Sequence, residues 1–418
     1  MSEIKRQKIL FVLPRLTVIG GGEAVAVWML QALRDEYDLS VMTWTASVEN
    51  DDINRVYGTS LRRDDLKVLG PPRLLRTIFD LVAKWKPEHH FQKARLLYRL
   101  TQRRKKDYDI LISGLDEVDF GRPGIQYIHY PNLAPVYQSE TAARDRGLTS
   151  RRWHLFKQRY RPWRILSGFS FERVRENLTL VNSDWTGAVV RQLYGIDSLT
   201  IYPPVAGVFS DIAWEERRDR FVCIGRFTPH KRIEMVIEIL AAVRALGHDV
   251  QLQLIGMLPD DPADREYYRK IRNLACEHAS WISMVEKIDL QQLAEIVSHS
   301  RYGIHGAEVE PFGIAVAEMV QGGCIAFIGG VGGQREIIGQ EERLIFDTVE
   351  EGIRKILAVL RSPEQQAALR EFLADRRSLF DSDRFVMEIK RVVRQFQMQQ
   401  LFSGTATPDP TLDRAVGE

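Results

Sequence analysis

Short apolar runs that alternate with amphipathic segments constrain the fold of this chain more than any other feature. Residues 8–14, KILFVLP, form a continuous apolar run after Lys8, as in a parallel strand that is buried on both faces. Glycines 20–22 then open an amphipathic helix to about Arg34, and residues 37–44 read as the next strand. This order of strand, glycine-rich turn, helix and strand predicts a doubly wound α/β domain.

The same order recurs in the second half, so the 418 residues predict two such domains rather than one core. There the strand 219–226 precedes a helix at 233–246 and a strand at 250–256. The rigid segment IYPPV closes the first domain. We therefore predict four parts: a first domain at 1–205, a second at 206–382, a C-terminal helix at 383–401 and a disordered tail at 402–418.

Bulk composition excludes several classes of protein. The formal net charge is +2, which gives no global attraction to polyanions, and no apolar run is long enough to span a membrane. The start of the chain lacks the apolar region of a signal peptide. Three cysteines, Cys223, Cys276 and Cys324, match no zinc or disulfide spacing. These features predict a cytoplasmic location, with any membrane contact at the inner surface.

Residues 305–336, HGAEVEPFGIAVAEMVQGGCIAFIGGVGGQRE, contain the densest group of candidate site residues. Glu310 and Glu318 flank the run PFGIAVA, and a second glycine-rich turn closes on Glu336. We expect Glu310 on a loop and Glu318 on the helix that follows. If all eight steps were helical, the two carboxylates would lie about 12 Å apart along the axis. Such a pair suits the two ends of one elongated ligand.

Two cations and a histidine are predicted at the carboxyl ends of parallel strands, where α/β sheets bind ligands. Arg226 and Lys231 lie on the loop GRFTPHK before a helix, a setting that suits a diphosphate. His129 ends the strand GIQYIH. Gly21 and Gly22 would let a phosphate approach backbone N–H groups, although a simple tight turn is an alternative reading. The spacing is not the dinucleotide fingerprint.

Two segments combine basic residues with apolar or aromatic ones. Residues 71–106 hold eleven Lys or Arg beside apolar positions such as Leu96, Leu97 and Leu100. Residues 151–164, RRWHLFKQRYRPWR, hold six Lys or Arg and no acid. Contact with an anionic membrane surface and a solvated helix face with core aromatics remain the main alternatives. Nucleic acid is the third and is not expected. The acidic cluster near Asp264 is read as a solvated helix start.

Four motifs resemble those of the retaining glycosyltransferases of the GT-B fold, in the large family usually numbered four, and they occur in the same order as in that family. They are E-x7-E with its glycine-rich turn, the GRFTPHK loop, the GGGE loop, and a histidine of the first domain. The segments YIHYP, VNSDWT, IYPPV and HGAEVEPFGI further resemble GDP-mannose-dependent α-1,2-mannosyltransferases of lipid-linked oligosaccharide synthesis. Apart from YIHYP, residues 71–175 resemble no segment of that group. The resemblance implies two Rossmann-like domains that face each other across a cleft, with the C-terminal helix packed back on the first.

The resemblance also implies a role for each candidate residue. Arg226 and Lys231 would hold the diphosphate, Glu318 the ribose, Glu310 the sugar hydroxyls, and His129 the sugar near the reacting carbon. The rest of the predicted donor site contains Gly21, Gly22, Ile255, Gly256, Val285, Phe312, Gly313 and Ile314. Neither a metal nor a cofactor is expected, because the two cations neutralise the diphosphate. The substrates implied are a nucleotide sugar, with GDP-mannose favoured over a UDP-sugar, and a glycan, glycolipid or lipid-linked acceptor.

Three alternatives to that function remain open at this stage. The first is a UDP-sugar-dependent glucosyltransferase or related enzyme that acts on a soluble acceptor. The second is another enzyme of the same shape, such as a sugar-nucleotide epimerase or a phosphorylase. The E-x7-E spacing argues against both the epimerase and the phosphorylase, and no cofactor lysine is evident for a phosphorylase. The third is a catalytically silent binding protein, which the intact set of charged residues argues against.

Overall fold

A computed structural model describes residues 6–16, 20–45, 50–77, 90–131, 168–258, 262–286 and 288–405. Two parallel sheets organise these residues, one in each half of the chain. The first sheet has the order β3-β2-β1-β4-β5-β6-β7. Its strands are β1 (Lys8–Val12), β2 (Asp38–Met42), β3 (Leu66–Leu69), β4 (Ile110–Ser113), β5 (Ile125–Ile128), β6 (Leu178–Val181) and β7 (Leu199–Thr200).

The second sheet has the order β10-β9-β8-β11-β13-β15, and it too is parallel throughout. Its strands are β8 (Arg218–Ile224), β9 (Gln251–Gly256), β10 (Ile282–Glu286), β11 (Ser300–His305), β13 (Ile325–Gly329) and β15 (Ile345–Phe346). A separate parallel pair joins β12 (Val309–Glu310) to β14 (Val331–Gly332). Each sheet reverses its strand order beside its first strand, and ligands of such sheets bind at that point.

Helices connect these strands, as parallel pairing requires. Those before β8 are α1 (Gly21–Leu33), α2 (Asn50–Tyr57), α3 (His90–Arg104), α4 (Phe171–Arg175) and α5 (Asp184–Tyr194). Those after it are α6 (Ile233–Ala245), α7 (Pro262–Glu277), α8 (Leu290–Ser298), α9 (Ile314–Gln321), α10 (Gln334–Ile337), α11 (Val349–Leu360), α12 (Pro363–Arg376) and α13 (Ser382–Thr405). None of the helices in the described ranges is both long and apolar enough to cross a membrane.

The two-domain α/β prediction is confirmed, and the differences concern short or polar elements. The strand β3 has only four residues and an exposed Lys67, so its apolar signal is weak. The helix α2 was not predicted, because Asp51 and Asp52 in its first turn give its sequence the character of a polar loop. The helix α13 continues to Thr405, beyond its predicted end at 401. The rest of the predicted tail, residues 406–418, lies outside the described residues.

The largest hydrophobic core on each sheet shows how the chain divides. Val205 belongs to the core of the second sheet, and its N–H donates to the carbonyl of Phe380 at 2.8 Å. The link between the domains therefore lies between β7 and β8. The helix α13 returns to the first domain, as predicted, because its apolar side completes that core. The side chains buried there are Phe385, Ile389, Val392, Val393 and Phe396.

Of the two basic segments, only parts of the first lie within the described residues. Residues 73–77 and α3 are helical, whereas 78–89 and all of 151–164 lie outside the described ranges. On α3, Leu97 and Tyr98 are buried in a small core with Phe120 on the outer face of the first sheet. Arg99 and Arg103 are exposed. For α3, the apolar side is therefore part of the core, and its basic side remains a candidate for surface contact.

Candidate functional site

A cleft of about 580 Å³ lies between the two domains, at the carboxyl edges of both sheets. The first domain lines it with the amino end of α1, with α2 and with the end of β5. The second domain lines it with the ends of β8 and β9 and with the segment from β12 to α9. Of the predicted site residues, the cleft brings together Gly21, Gly22, His129, Arg226, Lys231, Ile255, Gly256, Glu310, Phe312, Gly313, Ile314 and Glu318.

The loop after β8 brings two cations to the cleft. Arg226 is exposed, and within the described ranges its side chain has no hydrogen bond or ion pair, whereas its carbonyl accepts from the N–H of Thr228 at 2.9 Å. Lys231 ends a short 3-10 helix, and it forms an ion pair with Glu310. Arg232 then adopts a left-handed conformation, with φ of 46°, and donates through Nε to the carbonyl of Gly306 at 2.8 Å. This contact fixes the start of α6 and thereby the position of Lys231.

Glu310 is held as a carboxylate by its two neighbours. Its Oε2 lies 3.5 Å from Nε2 of the buried His305, which ends β11, and Lys231 pairs with the same oxygen. Burial alone would raise the pKa of Glu310, but the hydrogen bond with His305 and the charge of Lys231 outweigh burial and lower this pKa to about 2. Burial lowers the pKa of His305, so Lys231 is the cation of this group.

Glu318 has the opposite environment. It lies on α9, and within the described residues its carboxylate has no hydrogen-bond partner. Burial raises the pKa of Glu318 to about 8, which favours its protonated form at neutral pH. The two glutamates therefore differ in charge although they come from one motif.

The segment between the glutamates corrects one geometric expectation. Glu310 lies in the short strand β12, and α9 begins only at Ile314, so their separation is not a helical rise of eight residues. Gly313 makes the turn with φ of 97°, a conformation that favours glycine. The side chain of Phe312 is buried, with its ring centroid 6.0 Å from that of Tyr202 and 5.9 Å from that of Phe380. A ligand in the cleft can therefore contact the backbone of Phe312 rather than its ring.

His129 and the glycine loop form the wall of the first domain. The Nε2 of His129 donates to the carbonyl of Gly114 at 3.1 Å, because a carbonyl can only accept. Burial lowers the pKa of His129 to about 4, so the ring is neutral and Nδ1 is left as an acceptor. A Cβ on Gly22 would lie 3.5 Å from this ring. One on Gly21 would lie 2.7 Å from Cδ1 of Ile314 in the second domain.

The end of the cleft beyond Arg226 is apolar. Ile255 and Gly256 line it, as predicted, whereas Val285 on β10 is not among the lining residues. A Cβ on Gly256 would lie 2.2 Å from the carbonyl of Gly225, so this glycine also permits close contact between strand ends. Sequence reasoning missed the other apolar lining residues of this end, which are Val56, Tyr57, Met257, Ile288, Leu290 and Leu293. The apolar pair Met257 and Leu258 directly after β9 could have indicated this apolar surface, since both side chains are exposed in the structure.

Comparisons with known proteins agree with this geometry. Residues 208–374 match the family Glycosyl transferases group 1. A GDP-Man:Man(3)GlcNAc(2)-PP-Dol alpha-1,2-mannosyltransferase of Dictyostelium discoideum is 22% identical over 459 aligned positions, which cover 94% of this chain and 86% of that protein. The Mus musculus protein of the same name is 26% identical over 230 positions, half of this chain and 46% of its own length.

Solved structures show the same fold. Sucrose-phosphate synthase of Thermosynechococcus elongatus has a TM-score of 0.64 at 16% identity, over 96% of this chain and all of that one. Anabaena Alr3699/HepE, in complex with UDP and glucose, has a TM-score of 0.61 at 14% identity, over 93% of this chain and all of that one. Residues 208–374 therefore form a glycosyl transferases group 1 domain, and the chain is a hexose-transferring glycosyltransferase with the GT-B fold.

Proposed function

We propose that this enzyme transfers mannose from GDP-mannose, with retention of the anomeric configuration, to a hydroxyl of a lipid-linked oligosaccharide. The observation that supports it most is that one cleft brings together two cations, Arg226 and Lys231, and two glutamates, Glu318 and Glu310, with Lys231 paired to Glu310. This set of side chains suits a nucleotide-diphosphate sugar. The choice of mannose, GDP and a lipid-linked acceptor rests on the names of the relatives.

In this proposal each part of the donor has a chemically suited partner. The ribose diol donates to Glu318, and these hydrogen bonds favour its carboxylate form, which is purely an acceptor. The diphosphate lies against Arg226 and Lys231. The apolar end near Met257 and Leu290 receives the base. The hexose contacts Glu310 and backbone N–H groups at Phe312 and Gly313, and the neutral His129 accepts a hydrogen bond from the opposite wall.

The ion pair between Lys231 and Glu310 lies where the sugar meets the diphosphate. When the donor binds, Lys231 gains a phosphate oxygen as a partner and Glu310 gains sugar hydroxyls. As the bond between C1 and the phosphate oxygen breaks, negative charge grows on the diphosphate, and Arg226 and Lys231 stabilise it. The acceptor oxygen bonds to C1 on the same face, and its proton passes to the departing phosphate oxygen. Two cations at this position are our reason to propose transfer without a metal.

Binding and transfer assays with different donors test this proposal. The protein is screened by thermal shift with GDP-mannose, UDP-glucose and ADP-glucose, then assayed with a lipid-linked oligomannoside in detergent. We expect stabilisation by GDP-mannose, release of GDP and a product whose new bond is α by NMR. Transfer from UDP-glucose to a soluble sugar, with none from GDP-mannose, would establish the alternative donor class. A product of inverted configuration would refute retention.

A further inference from the structure

A polar contact between the domains lies directly behind the predicted sugar site. We call this contact the interdomain joint, and it consists of Ser183, Tyr202, Pro311 and Glu336. The first two residues belong to the amino end of α5 and to the link after β7. The other two belong to the second domain, where Pro311 directly follows β12 and Glu336 lies in the short helix α10 after β14. Glu336 closes the glycine-rich turn that the sequence grouped with the two glutamates.

Glu336 binds the amino end of α5 from across the domain boundary. Its Oε2 accepts from the N–H of Asp184 at 2.9 Å, and its Oε1 accepts from the N–H of Trp185 at 2.7 Å. The hydroxyl of Tyr202 also donates to Oε2, at 3.1 Å. The first N–H groups of a helix have no partner inside it and carry partial positive charge. A carboxylate from the second domain thus completes a helix of the first.

Ser183 contacts the loop that carries Glu310. Its hydroxyl donates to the carbonyl of Pro311 at 2.6 Å, and it also accepts from the N–H of Thr186 at 3.0 Å as the helix cap. Pro311 is the residue next to Glu310. Packing here is tight, because a Cβ on Gly333 would lie 2.2 Å from the Pro311 carbonyl and 2.5 Å from Cβ of Ser183.

We infer that Ser183 and Glu336 are positioning residues of the transfer reaction. By holding Pro311 and the turn after β14 against α5, they fix Glu310 at the sugar only when the two domains are together. This inference rests on the proposed role of Glu310 at the donor sugar. Neither residue lines the cleft, so both act through the backbone of the loop and not by contact with the donor.

The position of the interdomain joint predicts different effects on donor binding and on sugar transfer. Arg226, Lys231 and Glu318 all belong to the second domain, so an open enzyme retains the residues proposed for the nucleotide. The joint instead requires contact between domains. Its loss should therefore lower kcat and leave the Kd of the nucleotide unchanged, whereas damage to the fold would change both.

The variants Glu336→Gln and Ser183→Ala test the inference. Glutamine preserves the shape of the side chain but replaces one acceptor with a donor that faces a backbone N–H. We expect kcat to fall about tenfold or more, as for the loss of a hydrogen bond to a charged group. The Kd of GDP, from calorimetry, should stay at the wild-type value. Small-angle scattering with GDP-mannose should give a larger radius of gyration for Glu336→Gln than for the wild type.

Two substitutions within the second domain serve as matched controls. Ser362→Ala removes the cap of α12, whose hydroxyl accepts from the N–H of Gln365 at 3.2 Å. Glu341→Gln alters a carboxylate that accepts from the N–H of Arg343 at 3.1 Å. Both bonds lie within the second domain, so each variant reports the cost of a lost local contact, which for Glu341→Gln includes a weaker ion pair with Arg343. Both controls should retain wild-type kcat and radius of gyration.

Wild-type kcat in Glu336→Gln, or an unchanged radius of gyration, would overturn the inference. So would a loss of kcat matched by an equal loss of GDP affinity. If the wild type transferred no sugar from any donor, the proposed function would fail. The scattering comparison would still decide whether Glu336 holds the domains together.

Discussion

The variant Lys231→Met separates the stability of the site from its chemistry, because Lys231 is the cation paired with Glu310. Methionine keeps much of the length of the side chain and removes its charge. Glu310 would keep only the neutral His305 as a partner, so its pKa should rise from about 2. The protein would lose both a diphosphate contact and the partner of a partly buried carboxylate.

The two losses have different magnitudes. A buried acceptor that loses its partner costs about 1–3 kcal/mol. A domain of this size shifts its Tm by about 2–4 °C per kcal/mol, so we expect a fall of roughly 2–12 °C. The loss of one group that stabilises transition-state charge costs about 2.7–4 kcal/mol, or roughly 10²–10³ in kcat.

The double variant Lys231→Met with Glu310→Gln distinguishes the two effects. It leaves no unpaired charge, so we expect Tm to recover most of the loss while kcat stays as low as in the single variant or lower. Differential scanning calorimetry and release of GDP from GDP-mannose are the two measurements.

A lysine in a surface ion pair of the same domain provides the control. Lys270 pairs with Glu234 at 3.0 Å, and its side chain is 58% exposed. Lys270→Met should cost about 0.2–1 kcal/mol and leave kcat unchanged. If Lys231→Met kept the wild-type Tm and kcat, the assignment of Lys231 to the diphosphate would be refuted. A double variant no more stable than the single one would refute the pairing with Glu310.

Three further predictions concern the rest of the cleft and the surface. Burial raises the pKa of Glu318 to about 8 from an ordinary 4.5, so GDP affinity by calorimetry should rise with pH through about 8, and Glu318→Gln should lose this dependence. By linkage, the same group favours the folded state below about 4.5 and loses that contribution as pH rises through about 8. Gly21→Val should lower kcat without a change in GDP affinity, because its side chain would meet Ile314, and Ile314→Ala should restore kcat; failure of this rescue would contradict the close approach. Charge reversal of Arg99 and Arg103 should reduce flotation with anionic vesicles and leave kcat on a soluble acceptor unchanged, and equal flotation would exclude α3 from membrane contact.

The main site residues were predictable because parallel strands present their carboxyl ends at one edge of a sheet. Arg226 and Lys231 follow β8, and His129 follows β5, so chain order alone brings them to the cleft. His305 ends β11 in the same way, yet its contact with Glu310 depends on side-chain packing that a pattern does not encode. Val285 also ends a strand, but that strand is at the edge of its sheet.

The interdomain joint could not be predicted from local sequence. Glu336 and Asp184 are 152 positions apart, and each has an adequate local interpretation, as a residue of a glycine-rich turn and of a helix cap. Only the relative placement of the two domains brings them within hydrogen-bond distance. For the same reason, the apolar end of the cleft was missed, since Tyr57 and Leu290 come from opposite domains.

The helix α13 has a consequence for biosynthesis. Phe385, Ile389 and Val393 fill the core of a domain whose other core residues end at Ile201, 184 positions before Phe385. Until the last helix emerges, the groove beside α1 exposes apolar surface that a nascent chain must keep from aggregation. We therefore expect the first domain to complete its folding only after this helix has emerged. A premature stop before residue 382 would leave that groove uncovered in a chain that still contains every residue proposed to bind the donor.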